Sequence, residues 1–401
     1  MLVQLRAMGQ DVCVLEEKRG LNQGARQLAD HHRQPGDGIR TLWYDPRRGW
    51  ERLLTWLPDR IFRRAFEGRN LVHRMWVVSA AVRYFAPDVV VCSDGFTYAI
   101  PAAFLKRLGL LKTRLLASYI GGDILDCPEW GVGKRRTPMV SWLIRNSLPG
   151  IDVMRALCES LERILIREGA DPARIARLPI QLVAPMPVLD AIFERRAAVR
   201  QEVRMLYGIA ADAPLVVTLS GNHKGKGLQD LAAAWPDIVA AIPGCRWLMC
   251  GQKDVWLEQG VWPLLRLAGL QDTVVFTGPL QGEAVFEHLA AADLHVNPTR
   301  CEGLNMVTVE AAAVGTPTVT SDGAGIADWV DKHAAGVVVP AGDVPALRDA
   351  VIAALRNPAL CLTWQGRSRI MADEFSLDRI AADLFELMRT PAVAAPFPSS
   401  R

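Results

Sequence analysis

The chain of 401 residues is 50% hydrophobic and 22% charged, the balance of a globular protein with room for two ordinary domains. A formal net charge of only +3 gives no global signal for nucleic acid. No run is long and apolar enough to cross a bilayer, and the opening residues carry no secretory leader pattern.

In chain order, Leu2–Met8 reads as the end of a helix, Gly9 as its stop signal and Asp11–Leu15 as a strand. A doubly wound domain opens with a strand, a Gly-rich turn and a helix, so the first strand and turn are expected to be missing here. A start codon set too far downstream is preferred to a real truncation, because a parallel sheet without a central strand leaves backbone groups unpaired. Between Arg40 and Arg74 the arginines 47, 48, 52, 60, 63, 64 and 69 are interleaved with Trp43, Trp50, Trp56 and Phe62. This stretch reads first as a solvated helix face and second as a segment lying on an anionic membrane surface. Asp88–Cys92, Leu115–Ile120, Asp152–Leu157 and, more weakly, Ile175–Leu178 are short apolar runs of the kind buried parallel strands make. Pro179, Pro185 and Pro187 mark a linker. Strands at Leu215–Leu219, Arg246–Cys250, Val274–Phe276, Leu294–Val296, Thr316–Thr320 and Gly336–Val339 follow. They alternate with helices at Gly227–Ile242, Glu283–Ala291, Asn305–Val314 and Val344–Leu355, which predicts one Rossmann-like unit. A last helix near Leu377–Met388 has room to fold back on the first domain, and the tail from Pro391 has a disordered composition. The expected division is a first Rossmann-like domain at 1–184, a second at 185–375, a crossover helix at 376–390 and a tail at 391–401. The eight cysteines form no CxxC pair and no Cys/His group with zinc spacing. Cys13, Cys92 and Cys250 lie among apolar neighbours and read as core residues, which fits a reducing, cytoplasmic setting.

The most informative stretch is Asn297–Gly323, a strand end, a loop and a helix stopped by Gly315 and Pro317. Ligands of open α/β sheets bind at strand carboxyl ends. A carboxylate such as Glu302 accepts hydrogen bonds from vicinal sugar hydroxyls, and amides at a helix start suit a pyrophosphate. Glu310 falls in the apolar run Met306–Val314, where a carboxylate without a partner is expensive. In Leu215–Gly227 a strand runs into a Gly-rich loop with Gly221, Lys224 and Lys226. Glycine lets backbone approach phosphate and lysine supplies charge, but the Walker ending is absent, and a basic turn is an equal reading.

Taken together, these segments resemble the retaining glycosyltransferases of family GT4. Glu302 and Glu310 match that family's Glu-x7-Glu signature, with Gly303 and Leu304 after the first glutamate. Lys226-Gly227 is similar to its phosphate site, Val275–Gly278 to its element beside the base, Ala292–Thr299 to its Ala-Asp-x-x-Val-x-Pro-Ser segment, and Phe375-Ser376 to the approach to its last helix. The resemblance covers nearly all of 215–388. It implies a GT-B fold, two Rossmann-like doubly wound α/β domains facing across a cleft, with the final helix packing back on the first domain. It also implies that Glu310 holds the donor ribose and that Glu302 holds the hexose. Lys226, helped by Lys224 and Gly221, and the amides of Leu304, Asn305 and Met306 meet the leaving diphosphate without a metal or other cofactor. Three departures stand out. Asn222 replaces an arginine, with Lys224 or His223 as substitutes; Asn305 replaces the second Gly of the Glu-Gly-Phe-Gly element; and Ile180–Val183 replaces a turn before the linker.

The first half matches more weakly. Ser118–Asp126 follows a strand and places Gly121, Gly122 and Asp123 at its end. Asp123 is taken as a catalytic cleft residue, with turn capping as the plain alternative; Asp94-Gly95 has the same position on its own strand. His73, His288, His295 and His333 are left as packing or surface residues. The expected partners are a nucleotide sugar and a glycan, lipid-linked or small-molecule acceptor, with peripheral contact to a membrane face and no nucleic acid. An epimerase or phosphorylase of the same fold, or a non-catalytic sugar-nucleotide binder, are the alternatives.

Overall fold

In the computed structural model the described residues are 7–17, 40–44, 71–134, 137–221, 223–253 and 255–389. The helix end at 2–6, most of the basic aromatic stretch, Asn222 and the tail lie outside them. The first lobe holds strands β1 (Cys13–Glu17), β2 (Arg40–Tyr44), β3 (Val89–Cys92), β4 (Arg114–Tyr119), β5 (Asp126–Cys127), β6 (Val132–Gly133), β7 (Val153–Ala156) and β8 (Ile175–Arg177). Its helices are α1 (Leu71–Phe85), α2 (Ala99–Arg107), α3 (Pro138–Ser147) and α4 (Glu159–Arg167). Strands β3-β4-β7-β8 form one parallel sheet in that order, β1 and β2 pair parallel in a separate sheet, and β5-β6 is a small antiparallel hairpin.

The second lobe begins with α5 (Met186–Glu194) and α6 (Arg196–Leu206). It continues through β9 (Leu215–Leu219), α7 (Leu228–Ala241), β10 (Arg246–Cys250), α8 (Trp262–Leu267), β11 (Val274–Gly278), α9 (Glu283–Ala291), β12 (Leu294–Asn297), α10 (Met306–Ala313), β13 (Thr318–Ser321), α11 (Ala327–His333), β14 (Gly336–Val339), α12 (Val344–Arg356) and α13 (Pro358–Asp373). Its strands run parallel in the order β11-β10-β9-β12-β13-β14. Leu215, Val216 and Val217 on β9 are all fully buried, as an apolar strand covered on both faces must be. The chain winds outward one way from β9 to β11 and then returns to the other side at β12. The switch point therefore lies between the carboxyl ends of β9 and β12, where such sheets open a ligand crevice.

The last helix, α14 (Leu377–Arg389), returns to the first lobe as expected. Its Ile380, Leu384 and Leu387 pack with Leu116, Val153, Ala176 and Leu178, and Arg114 donates to the Leu387 carbonyl at 3.3 Å. Helix α13 is not among the expected elements. Its apolar pattern is weak, yet Pro358 in its first turn and Asn357, whose side chain accepts from the Leu360 amide at 3.1 Å, mark its start. A continuous apolar cluster includes Leu115, Ile124 and Leu157 of the first lobe and Leu304, Ile326 and Phe375 of the second, so the lobes are packed together along part of their facing edges.

Candidate active site

Two loops straddle the switch point. After β9 the chain passes Ser220 and the exposed Gly221, then makes a tight turn over Lys224–Lys226 and enters α7. Gly227 closes that turn at φ +68°, and a Cβ there would stand 1.9 Å from the Pro298 carbonyl oxygen, so glycine is required by both conformation and space. After β12 the second loop, residues 298–305, leads into α10. The loops are stitched to each other: the Arg300 amide donates to the Gly225 carbonyl at 2.7 Å, and Thr299 Oγ1 to the same oxygen at 2.9 Å. Arg300 reaches over to α7 and grips Asp230 with two bonds, Nε–Oδ2 at 2.7 Å and Nη2–Oδ1 at 2.5 Å.

This stitching brings Lys226 and Glu302 together as an ion pair of Nζ with Oε1. The other oxygen of Glu302 accepts from Asn305 Nδ2 at 2.8 Å, and Nδ2 also donates to Asn297 Oδ1 at 3.1 Å. Asn305 Oδ1 accepts from the Thr308 amide at 3.0 Å and its hydroxyl at 2.8 Å, which caps α10. Asn305 has φ +71°. Asparagine tolerates that region better than most residues, so the departure from glycine keeps the backbone shape and adds a side chain that orients Glu302.

Along α10, Thr308, Val309, Ala311, Ala312 and Ala313 are buried, whereas Met306, Val307 and Glu310 are partly open. The 3–4 residue spacing sets these three on one face of the helix. The Glu310 carboxyl has no hydrogen-bond or ion-pair partner among the described residues, and burial pushes its pKa up to about 7. A half-buried carboxylate without a partner suits a ligand that brings hydroxyl donors.

Of the remaining expected site residues, Leu304 is buried in the core and contributes backbone only. Gly303 is one point where the lobes touch: a Cβ there would stand 2.3 Å from the Ile120 carbonyl oxygen of the first lobe. Its own carbonyl accepts from the Gly325 amide at 2.9 Å and from Cys158 Sγ at 3.4 Å. Lys224 turns toward the first lobe, with Nζ 5.1 Å from the centre of the Trp130 ring. No group of three or more His, Cys, Asp or Glu side chains among the described residues is placed to hold a metal ion.

Asp123 takes up the turn-capping alternative of the sequence reading. It is 3% exposed, and its carboxylate accepts from the amides of Gly95 at 2.7 Å, Ile120 at 3.1 Å and Gly121 at 2.9 Å. Burial raises its pKa while those amides and nearby Asp94 act on it in opposite senses. Its oxygens are engaged with backbone, so it is a positioning residue that ties the loops after β3 and β4 and sets the Ile120–Gly121 edge against Gly303. Asp94 caps its own turn through the amides of Phe96, at 2.8 Å, and Thr97.

The sequence reading missed Trp130, Arg300 and Asp230. Asp230, buried near the start of an apolar helix, was the one legible signal. It also missed Ser220, whose buried Oγ at the end of β9 has no partner among the described residues. The cysteines are corrected as well. Cys127 and Cys301 are bonded across 174 residues, a pairing no local spacing rule reveals.

With this geometry in place, comparison with known proteins gives a consistent picture. Residues 213–357 match the family model described as "Glycosyl transferases group 1", and residues 1–181 match a "Glycosyl transferase 4-like domain". The chain is 28% identical over 305 residues to the GDP-mannose-dependent alpha-(1-6)-phosphatidylinositol monomannoside mannosyltransferase of Mycobacterium tuberculosis, covering 73% of this chain and 74% of that protein. It is 24% identical over 302 residues to N-acetyl-alpha-D-glucosaminyl L-malate synthase of Bacillus anthracis, covering 74% and 72%. Among solved structures, Anabaena HepE in complex with UDP and glucose matches with a TM-score of 0.71 at 14% identity, over 94% of this chain and 99% of that one.

Proposed function

The chain belongs to the group 1 glycosyltransferases, with a GT4-like first domain and the GT-B fold, and from that premise we propose that it is a retaining hexosyltransferase using a nucleoside-diphosphate sugar as donor. The acceptor is a hydroxyl of a glycan, a lipid-linked sugar or a small molecule, the last two named among its relatives. In the reaction the bond from the anomeric carbon to the diphosphate oxygen breaks and a bond to the acceptor oxygen forms. The acceptor proton leaves with the diphosphate.

One observation carries this reading. Lys226, Glu302 and the start of α10 converge at the switch point, and Glu310 follows on the open face of that helix. Negative charge develops on the leaving diphosphate, and Lys226 with the first amides of α10 lies where it is met. In this reading no metal ion is called for. Donor binding loosens the Lys226–Glu302 pair, so that the lysine turns to phosphate and the carboxylate to sugar hydroxyls. Asn305 keeps Glu302 in place while its cation is drawn away. Glu310 accepts from the ribose hydroxyls.

A thermal-shift panel of UDP-, GDP- and ADP-sugars, followed by a transfer assay reading the product anomer, tests the reading. Lys226→Ala and Glu310→Ala should stay folded and lose donor-dependent stabilisation. Full turnover in both would overturn the site.

A lipid-linked acceptor is supported by one surface of the first lobe. Leu108 and Leu110, 65% and 67% exposed, follow α2, and on α3 Trp142 is 54% exposed and stacks on Phe104. Arg107, Lys112 and Arg145 lie beside them, exposed. Apolar side chains beside cations suit an anionic bilayer surface. Flotation with anionic vesicles should recover the chain and Trp142→Ala should weaken recovery; equal recovery with purely zwitterionic vesicles would remove the charge argument. Among the described residues no helix is long and apolar enough to cross a membrane.

A further inference from the structure

The β5-β6 hairpin belongs to the first lobe, yet Cys127, Trp130 and Val132 each meet the two donor-site loops of the second. Trp130 at its tip has the Arg300 guanidinium 4.6 Å and the Lys224 ammonium 5.1 Å from its ring centre. Val132 packs on Gly225, where a Cβ would come within 3.1 Å of its methyl. Cys127 is bonded to Cys301, the residue immediately before Glu302. The hairpin is thus a strap across the cleft, held at one end by a covalent bond.

We propose that the Cys127–Cys301 pair is a redox latch: oxidised, it holds the lobes closed over the donor site; reduced, it lets them part for donor entry and nucleotide release. The inference rests on the transferase reading for its activity arm only. Three observations favour a switch over a structural staple. The bond joins the two lobes to each other, so it restrains their relative motion more than the packing within either. It is also isolated: Cys92, Cys158, Cys245 and Cys250 are buried free thiols. Burial drives Cys92, Cys245 and Cys250 up to about 12, far from the thiolate form that reacts. A single pair in a chain that otherwise keeps its thiols is the pattern of a reversible device, unlike a disulfide-rich scaffold. Lastly, Cys301 is 7% exposed whereas Cys127 is only partly buried, so Cys127 is the more accessible of the two.

The exchange balances with a low-molecular-weight disulfide as oxidant. The Cys127 thiolate attacks that disulfide, forming a mixed disulfide and releasing one thiolate. Cys301 then attacks the Cys127 sulfur and releases the second, so two protein thiols and one disulfide become one protein disulfide and two small thiols. A dithiol reductant runs the same steps backward.

The test uses the full chain equilibrated with glutathione disulfide or with dithiothreitol, and the reduced wild type itself supplies the unlinked form. Non-reducing peptide maps read the bond, small-angle scattering reads the separation of the lobes, and nucleotide-sugar transfer reads function. Oxidation should yield the Cys127–Cys301 peptide, a smaller radius of gyration and turnover lower by at least about tenfold, within the range of ordinary coupling between sites. Cys127→Ser should match the reduced wild type under both conditions, and Cys361→Ser should respond as wild type does. Absence of the linked peptide after oxidation, or equal radius and turnover in the two forms, overturns the latch. A radius that responds to redox in a chain with no transfer in either state leaves the latch standing and sinks the transferase reading.

Discussion

Glu310→Gln separates stability from function at the proposed donor site. The folded chain holds the Glu310 proton more tightly than the unfolded chain, with the carboxyl raised from its ordinary 4.5 to about 7 by burial. The sign follows from linkage: native stability owed to this group is full below pH 4.5 and is lost as pH rises to about 7. At about 1.4 kcal/mol per pH unit, ionising the buried carboxyl costs the apo protein about 3 kcal/mol at pH 8 and under about 1 kcal/mol at pH 5. Glutamine is nearly isosteric and carries no charge to bury. The variant should therefore be more stable than wild type by about 2–3 kcal/mol at pH 8 and nearly equal to it at pH 5. Urea unfolding of both chains at the two pH values measures this directly. In the same samples the nucleotide sugar that stabilises wild type at pH 8 should fail to stabilise the variant. Wild-type affinity for that donor should fall as pH drops below about 7, where the carboxylate is lost. Equal stabilities at pH 8, or donor binding retained by the glutamine variant, would refute the picture of a carboxylate left without a partner for a ligand.

The other expectations concern the frame around that carboxylate. Asn305→Ala removes the cap and places alanine at φ +71°, so it should cost about 2–3 kcal/mol by thermal or urea unfolding and lower turnover. Asn305→Gly relieves the backbone but frees Glu302, and should cost less stability while still lowering turnover. Gly227→Ala meets both a left-handed backbone and the Pro298 carbonyl. It should lower donor affinity at least about tenfold by displacing Lys226, read by titration calorimetry. Asp123→Ala leaves three amides without their acceptor and should destabilise the first lobe by roughly 2–4 kcal/mol. Because its carboxylate is taken up by backbone amides, a stability loss without a turnover loss at low temperature is its expected signature.

The second lobe was legible because its determinants are local. Strand β9 is apolar throughout since both its faces are covered, and each loop at the switch point carries its own glycine and its own charge within a few residues. The first lobe was less so because its determinants are tertiary. Asp123 and a cleft carboxylate look alike in sequence; only the amide of Gly95, 28 residues away, shows that this one is engaged with backbone. The hairpin carrying Trp130 is built of two-residue strands, too short for any periodicity to register, and its partners lie in the other lobe. The cysteine pairing fails for the same reason, since 174 residues separate its halves.

Asn305 shows how a departure from a family pattern is weighed by physics and not by count. In sequence it is a glycine missing from the loop pattern the chain resembles. In the structure the position demands a positive φ, which asparagine accepts, and its amide then bonds Glu302 at 2.8 Å while its oxygen caps α10. Glycine would satisfy the backbone alone and leave Glu302 with Lys226 as its one partner among the described residues. Once a diphosphate draws Lys226 away, a carboxylate so held would be free to rotate, whereas here the asparagine still fixes it. The substitution therefore adds orientation to the residue proposed to hold the sugar, and kinetics should show it as a loss in kcat larger than any change in donor KM when Asn305 is made glycine.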